Sequence, residues 1–138
     1  MPSLEKKMFF LPYKLFVRQS RLYIAFNLSV IPRDMEITSM YLHVQLPKHH
    51  TPTTVYLKRL LTYWDEASLR NGIVPSRSQK ARLLRYTPEQ TELIINVTNY
   101  RNLWRKRKKN NHGIYLWAKG KNFKYIESNP PYLVLETI

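Results

Sequence analysis

Apolar and polar residues alternate along several stretches of this chain. The clearest stretch covers residues 21–30, where every second residue from Leu22 to Val30 is apolar. A second alternation covers residues 40–46, and shorter ones cover residues 55–61, 81–86, 93–97, 113–118 and 132–138. Strict alternation is typical of strands that bury one face. Turn residues separate the stretches, so the pattern predicts an all-β protein, an antiparallel β-sandwich of short strands.

The hydrophobic period changes once, directly after a predicted strand. Val97, Tyr100, Leu103 and Trp104 have the spacing of one face of a helix, which predicts one short helix within the sandwich. Five consecutive cations follow at 105–109, before turn residues and the next predicted strand. We therefore expect a basic corner where the helix ends.

The ends of the chain carry weaker patterns. Residues 1–20 hold two apolar patches broken at Pro12, and we expect either two edge strands or an extended arm ahead of a single sandwich domain at 21–138. Residues 123–126 are expected to be extended. Pro12 and Lys14 interrupt the N-terminal apolar patch, so we expect no signal peptide and no membrane insertion. This favours the cytoplasm, or assembly into a spore, virion or cell-surface layer.

Charge narrows the classes of partner. The chain has 23 Lys and Arg against 9 Asp and Glu, a formal net charge of +14. Charge of this size favours polyanions, such as nucleic acid, anionic polysaccharide, a teichoic-acid-like polymer or an anionic membrane surface. The chain has no cysteine, which excludes disulfides and thiol chemistry.

Residues suited to catalysis are sparse. Asp65 and Glu66 are adjacent, so in an extended segment they point to opposite faces, and we expect them to cap a turn or pair with an arginine. The four histidines have no metal-ligand spacing, and His49 and His50 lie in a Pro-flanked loop. We therefore expect no enzyme activity, no cofactor and no metal site.

Several motifs occur in an order that resembles one known family. RLYIAFNLSVIP is followed by ITSMYLHVQL, and the later motifs are YWDEAS at 63–68, INVT to Trp104 at 95–104, NHGIYL at 111–116, and segments 123–128 and 131–135. The set is similar to DNRLRE domains over residues 21–138, although Asn96 stands where those domains have Asp. The resemblance implies a jelly-roll-like sandwich used as a non-catalytic module. Some such modules bind carbohydrate, including acidic glycans.

The candidate site combines cations with aromatic rings. We expect polyanion contact from the basic corner and the next turn, through Arg101, Arg105, Lys106, Arg107, Lys108, Lys109, Lys119 and Lys121. We expect stacking from three aromatic side chains on outer sheet faces, Tyr115, Trp117 and Tyr41. The competing interpretations are a corner that only confers solubility, and faces covered by the N-terminal arm or a partner. Trp64 and Trp104 are expected in the core.

These observations predict a structural or adhesive module that binds an anionic polymer, with polysaccharide favoured. A spore coat, a cell envelope or a virion would each provide such a setting. A nucleic-acid-binding protein is the first alternative, and an accessory to a glycan hydrolase or lyase is the second. Self-association is also expected, because an apolar N-terminal arm offers a strand edge for pairing.

Overall fold

Two antiparallel sheets packed face to face form the molecule, which confirms the predicted sandwich. The computed structural model describes residues 6–46, 52–105, 111–119, 123 and 125–138. One sheet has the strand order β1-β9-β4-β7 and the other has the order β2-β3-β8-β5-β6. The strands are β1 (Lys6–Phe10), β2 (Lys14–Arg18), β3 (Arg21–Ala25), β4 (Ile37–Gln45), β5 (Thr53–Arg59), β6 (Arg82–Tyr86), β7 (Glu92–Asn96), β8 (Ile114–Trp117) and β9 (Tyr132–Thr137).

The connectivity is that of a jelly roll with one added strand. Without β2, four strands remain in each sheet, in the orders β1-β9-β4-β7 and β3-β8-β5-β6. Most connections cross from one sheet to the other, as in the paired Greek keys of a jelly roll. Strands that are distant in sequence therefore become neighbours, and β8 lies between β3 and β5.

The N-terminal segment joins the two sheets along one side of the sandwich. β1 pairs with β9 at the edge of the four-stranded sheet, and β2 pairs with β3 at the edge of the five-stranded sheet. Pro12 lies between them, where the chain leaves one sheet for the other. A proline there removes no ladder hydrogen bond, because the connection belongs to neither strand.

The main core lies between the sheets. Alternate residues of each strand enter it, for example Leu22 and Ile24 from β3 and Ile114 and Leu116 from β8. Trp104 packs there against Phe26, with ring centres 5.6 Å apart. The predicted core position of Trp104 is thus confirmed, and burial of these large apolar side chains is the main force that holds the sheets together.

The strand predicted at 21–30 is shorter and more buried than its pattern indicates. β3 ends at Ala25, and Leu28 is buried in an irregular segment whose backbone N–H donates to the Trp104 carbonyl at 3.3 Å. Tyr23 and Ala25, on the face expected to be exposed, are buried as well. The burial of Tyr23 and Ala25 has a structural cause, because both belong to a second apolar cluster on the outer face of the sheet.

The described residues contain more helix than the single short helix predicted. They form α1 (Glu66–Arg70), α2 (Arg101–Arg105) and α3 (Tyr125–Ser128), with a 3-10 turn at Thr98–Tyr100 before α2. The expectation of an extended segment at 123–126 is wrong. Phe123 and Ile126 are both buried and the Ile126 N–H donates to the Phe123 carbonyl, because a spacing of three residues puts both side chains on one side of a helical turn.

Candidate functional site

A second apolar cluster covers part of the outer face of the five-stranded sheet. Tyr23 of β3 and Tyr115 of β8 point outward with ring centres 5.1 Å apart, and Trp64 lies 5.8 Å from Tyr23. Leu60, Trp64 and Leu69 come from the segment between β5 and β6 and form a layer over the sheet, and Phe16 of β2 also belongs to the cluster. Trp64 is buried, as predicted, but in this outer cluster rather than in the main core.

A short helix fixes this layer in place. Asp65 caps α1, and its Oδ1 accepts the Ser68 backbone N–H at 2.7 Å. Hydrogen bonds from Ser68 hold the pKa of the Asp65 carboxyl below its ordinary value. Glu66 accepts from Arg70 at 2.6 Å, one helical turn later. The prediction that these two carboxylates cap and pair is therefore confirmed.

Lys14 of β2 joins the sheet edge to the same layer. Its Nζ donates to the Trp64 carbonyl at 2.7 Å and lies 4.3 Å from the ring centre of Tyr63 and 5.0 Å from that of Trp64. Burial lowers the pKa of the Lys14 ammonium, and the charge of Asp65 opposes that effect. This lysine is thus engaged in holding the layer in place.

An open cleft remains beside the covered region. It has a volume of about 430 Å³ and is lined by Arg21, Tyr56, Lys58, Arg77, Gln79, Ala81, Tyr115 and Trp117. Tyr56 and Trp117 are half-buried, and their ring centres lie 5.0 Å apart across β5 and β8. The cleft therefore presents two partly accessible rings with three cations around them, which we call the aromatic cleft.

The charge of the five-stranded sheet is of one sign. Its strands carry seven Lys and Arg, two each in β2, β5 and β6 and one in β3, and they contain no Asp or Glu. The strands of the four-stranded sheet carry Lys6 and Lys7 against Glu92 and Glu136. The excess positive charge of the described strands is therefore concentrated on the sheet that contains the aromatic cleft.

The predicted cations are divided between the described and undescribed parts of the chain. Arg101 donates to the Thr98 carbonyl at 3.1 Å, and Arg105 donates to the Pro32 carbonyl at 2.6 Å. Both guanidinium groups thus satisfy backbone carbonyls around α2. Lys119 is exposed two residues after β8. The remaining predicted cations, Lys106, Arg107, Lys108, Lys109 and Lys121, lie outside the described residues.

The three predicted stacking residues do not form one row. Tyr115 does point outward but is 4% exposed, and the Arg77 guanidinium lies 4.5 Å from its ring centre. The expectation that its ring is exposed is wrong, because the outer layer and Arg77 cover it. Trp117 remains half-buried in the aromatic cleft. Tyr41 lies on the outer face of the other sheet.

Tyr41 lines a separate polar cleft of about 520 Å³. Arg82 crosses there from β6 and donates to the Asn96 carbonyl of β7 at 2.5 Å, which joins the two sheets at their side. On the same outer face, the His43 Nδ1 lies 2.6 Å from a Glu92 carboxylate oxygen, which also accepts from the Tyr132 hydroxyl at 3.1 Å. No group of three metal-binding side chains occurs among the described residues. His49 and His50 are outside them.

Six residues that line the aromatic cleft were not predicted from the sequence: Arg21, Tyr56, Lys58, Arg77, Gln79 and Ala81. Tyr56 alternates with buried Val55 and Leu57, so its outward direction could have been read from β5. Its position beside Trp117 could not, because β5 and β8 pair across more than fifty residues of sequence.

Comparisons with known proteins add no family. The chain matches no model of a known protein family, and it has no significant match among curated proteins. The resemblance to DNRLRE domains therefore stays a prediction. Within the described residues, no helix combines the length and the apolar composition that crossing a bilayer requires.

Proposed function

We propose that this chain is a non-catalytic module that binds an anionic polymer on the outer face of its five-stranded sheet. The aromatic cleft carries the proposal, because it combines partly accessible Tyr56 and Trp117 rings with Arg21, Lys58 and Arg77. Rings offer a flat apolar surface, and cations attract carboxylate, sulfate or phosphate groups.

An acidic polysaccharide is the favoured ligand. A uronic-acid unit presents an apolar ring face and one carboxylate, which matches one ring pair flanked by cations. The Arg77 guanidinium is held against Tyr115, so part of its conformational freedom is already lost before a ligand binds. A structural or adhesive role in a spore coat, an envelope or a virion belongs to the same proposal.

Single-stranded nucleic acid is the second candidate. Such a function needs stacking rings within a basic surface, and Tyr56 and Trp117 meet that requirement. Bases would stack on these rings while Lys58 and Arg77 approach the phosphates. The two candidates share one site and differ in the polymer that is retained most strongly.

The test compares retention on an acidic polysaccharide resin, on heparin and on single-stranded DNA at matched salt. Lys58→Gln/Arg77→Gln should elute at clearly lower salt than wild type, because two cations of the cleft are lost. Lys6→Gln/Lys7→Gln is the matched control, since it removes the same charge from the other sheet. We expect it to stay close to wild type.

The outcomes separate three explanations. Strongest retention on the acidic polysaccharide supports the favoured ligand, and strongest retention on DNA supports the second candidate. If the two double variants lose retention equally, the proposed site is overturned and only nonspecific charge attraction is left. A variant with Gln at each position of 106–109 tests the basic corner in the same assay. If only that variant loses retention, the binding site lies at the basic corner.

A further inference from the structure

Among the described residues, no layer like the one on the five-stranded sheet covers the outer face of the four-stranded sheet. Phe9, Ile94 and Tyr41 are 67%, 53% and 39% exposed, and within the described residues they belong to neither apolar cluster. On the five-stranded sheet, the corresponding central positions are buried under the layer that contains Trp64. A broad sheet surface with large apolar groups is therefore open to solvent.

The apolar groups on this surface are contiguous. Phe9 of β1 lies opposite Val134 of β9, and Val134 lies opposite Tyr41 of β4. Ile94 of β7 pairs with His43, one diagonal step from Tyr41. The four side chains cross all four strands. Exposed apolar surface that is continuous in this way marks an interaction site more often than scattered single residues do.

The charge of this surface permits contact with a second copy. Lys7 lies opposite Glu136 in the sheet, and Glu92 contacts His43. These charged groups come close to balance, although the whole chain has a formal charge of +14. Two copies that meet through their basic five-stranded sheets repel each other. Two copies that meet through the outer faces of their four-stranded sheets avoid this repulsion.

Other occupants fit this surface less well. An anionic polymer or anionic membrane would be attracted to the five-stranded sheet, whereas here Glu92 and Glu136 offset the positive charge of Lys7 and leave no comparable attraction. A flat sheet face with balanced charge is self-complementary, as an interface related by a two-fold axis requires. Sheets that pack face to face in this way lie about 10 Å apart.

We infer that two copies of this chain pack through the outer faces of their four-stranded sheets, forming a dimer that presents two polymer-binding faces on opposite sides. The second half of this inference rests on the proposed function. Three sheet-to-sheet spacings of about 10 Å separate the two basic faces by roughly 30 Å. That arrangement joins two polymer chains instead of coating one.

The size of the surface sets the expected strength. Four strands at about 4.8 Å and five residues at about 3.4 Å give a flat area of roughly 19 by 17 Å. This is smaller than the ~800 Å² per partner of standard interfaces, so the dimer belongs to the weak class. Binding to a shared polymer raises the local protein concentration and thereby favours dimerisation.

Sedimentation velocity over a range of protein concentrations tests the dimer without any polymer. Wild type should shift from monomer toward dimer in the micromolar range or above, whereas Ile94→Lys should weaken association at least about tenfold. Leu83→Lys is the control, because Leu83 is 64% exposed on the outer face of the five-stranded sheet and the two variants have equal charge. The inference is overturned if wild type stays monomeric, or if both variants weaken dimerisation equally.

A capture assay then separates the dimer from the proposed function. Protein bound to an immobilised acidic polysaccharide should capture a second, fluorescently labelled chain of the same polymer. Ile94→Lys should bind the immobilised chain as well as wild type does but capture several-fold less of the labelled one. Dimerisation without polymer binding would contradict the proposed function alone. Equal capture by Ile94→Lys and wild type would contradict the bridging arrangement.

Discussion

The two sheets of this sandwich resemble each other on their inner faces and differ on their outer faces. Inner residues of both sheets form one apolar core. Outside the five-stranded sheet, Trp64 and its neighbours build a second cluster beside a basic aromatic cleft. Outside the four-stranded sheet, Phe9, Tyr41 and Ile94 remain open among balanced charges. The comparison shows that strand alternation specifies the inner face, whereas a remote segment of the chain determines the outer one.

This difference assigns separate tasks to the two faces. A covered sheet beside an open cleft suits recognition, because the side chains around the cleft are held by packing. An open, charge-balanced sheet suits contact with another copy. If the outer layer is as integral to the fold as its burial indicates, substitutions within it should cost more stability than substitutions on the open face.

Gly113→Ala should break the five-stranded sheet at its centre. Gly113 has φ of +86°, and an added Cβ would lie 2.0 Å from the Ile24 carbonyl oxygen of β3. We expect a loss of more than about 4 kcal/mol or failure to fold, since buried backbone on both sides prevents relief. Denaturant unfolding measures the change in the free energy of unfolding.

Gly72→Ala is the control, with φ of +81° and no atom within 4 Å of the added Cβ. It should cost about 1–2 kcal/mol, and equal losses would contradict the steric explanation.

Trp64→Ala should destabilise the protein far more than Tyr41→Ala. Trp64 is buried in the outer cluster, and its indole N–H donates to the His112 carbonyl at 2.7 Å. Truncating a buried tryptophan costs about 3–5 kcal/mol. Tyr41 lies on the open face, so its truncation should cost less than about 1 kcal/mol. Urea unfolding of both variants gives the comparison. Similar losses would mean that the two outer faces contribute equally to stability.

Asp65→Ala should give a smaller, pH-dependent effect on the helix that holds the layer. Hydrogen bonds from Ser68 lower the pKa of the Asp65 carboxyl in the folded state. The stabilisation from a lowered carboxyl pKa is present above the ordinary value of about 3.8, and it is lost as the pH falls through the folded pKa. The difference in urea midpoint between wild type and variant should therefore shrink in acid.

Glu66→Gln is the control for this titration. Its carboxylate pairs only with Arg70 in the described contacts and is largely exposed, so its effect should be close to zero at every pH. A difference between wild type and Asp65→Ala that does not shrink as the pH falls below the ordinary carboxyl value of about 3.8 would contradict the capping contribution.

Much of the fold could be predicted from local pattern, because each strand buries alternate residues and each turn is marked in the sequence. Residues 123–126 were misassigned, since a helical turn and a strand are indistinguishable over so few residues. The candidate site was harder to predict. Trp117 was identified from its alternation. Tyr56 lies beside Trp117 because β5 pairs with β8, and Arg77 lies there because of a long loop. Neither the strand pairing nor the path of the loop can be predicted from local sequence.

The sequence by itself determined the class of fold, the inner core and the excess of positive charge, because these follow from residue type and period. Only the tertiary structure decided which outer face is covered, which cations flank a ring and which carboxylates balance them. Those features depend on contacts between distant segments, such as Lys14 with the Trp64 carbonyl and β5 with β8. The fold brings them together when the strands cross between the two sheets, and no short stretch of sequence contains both partners.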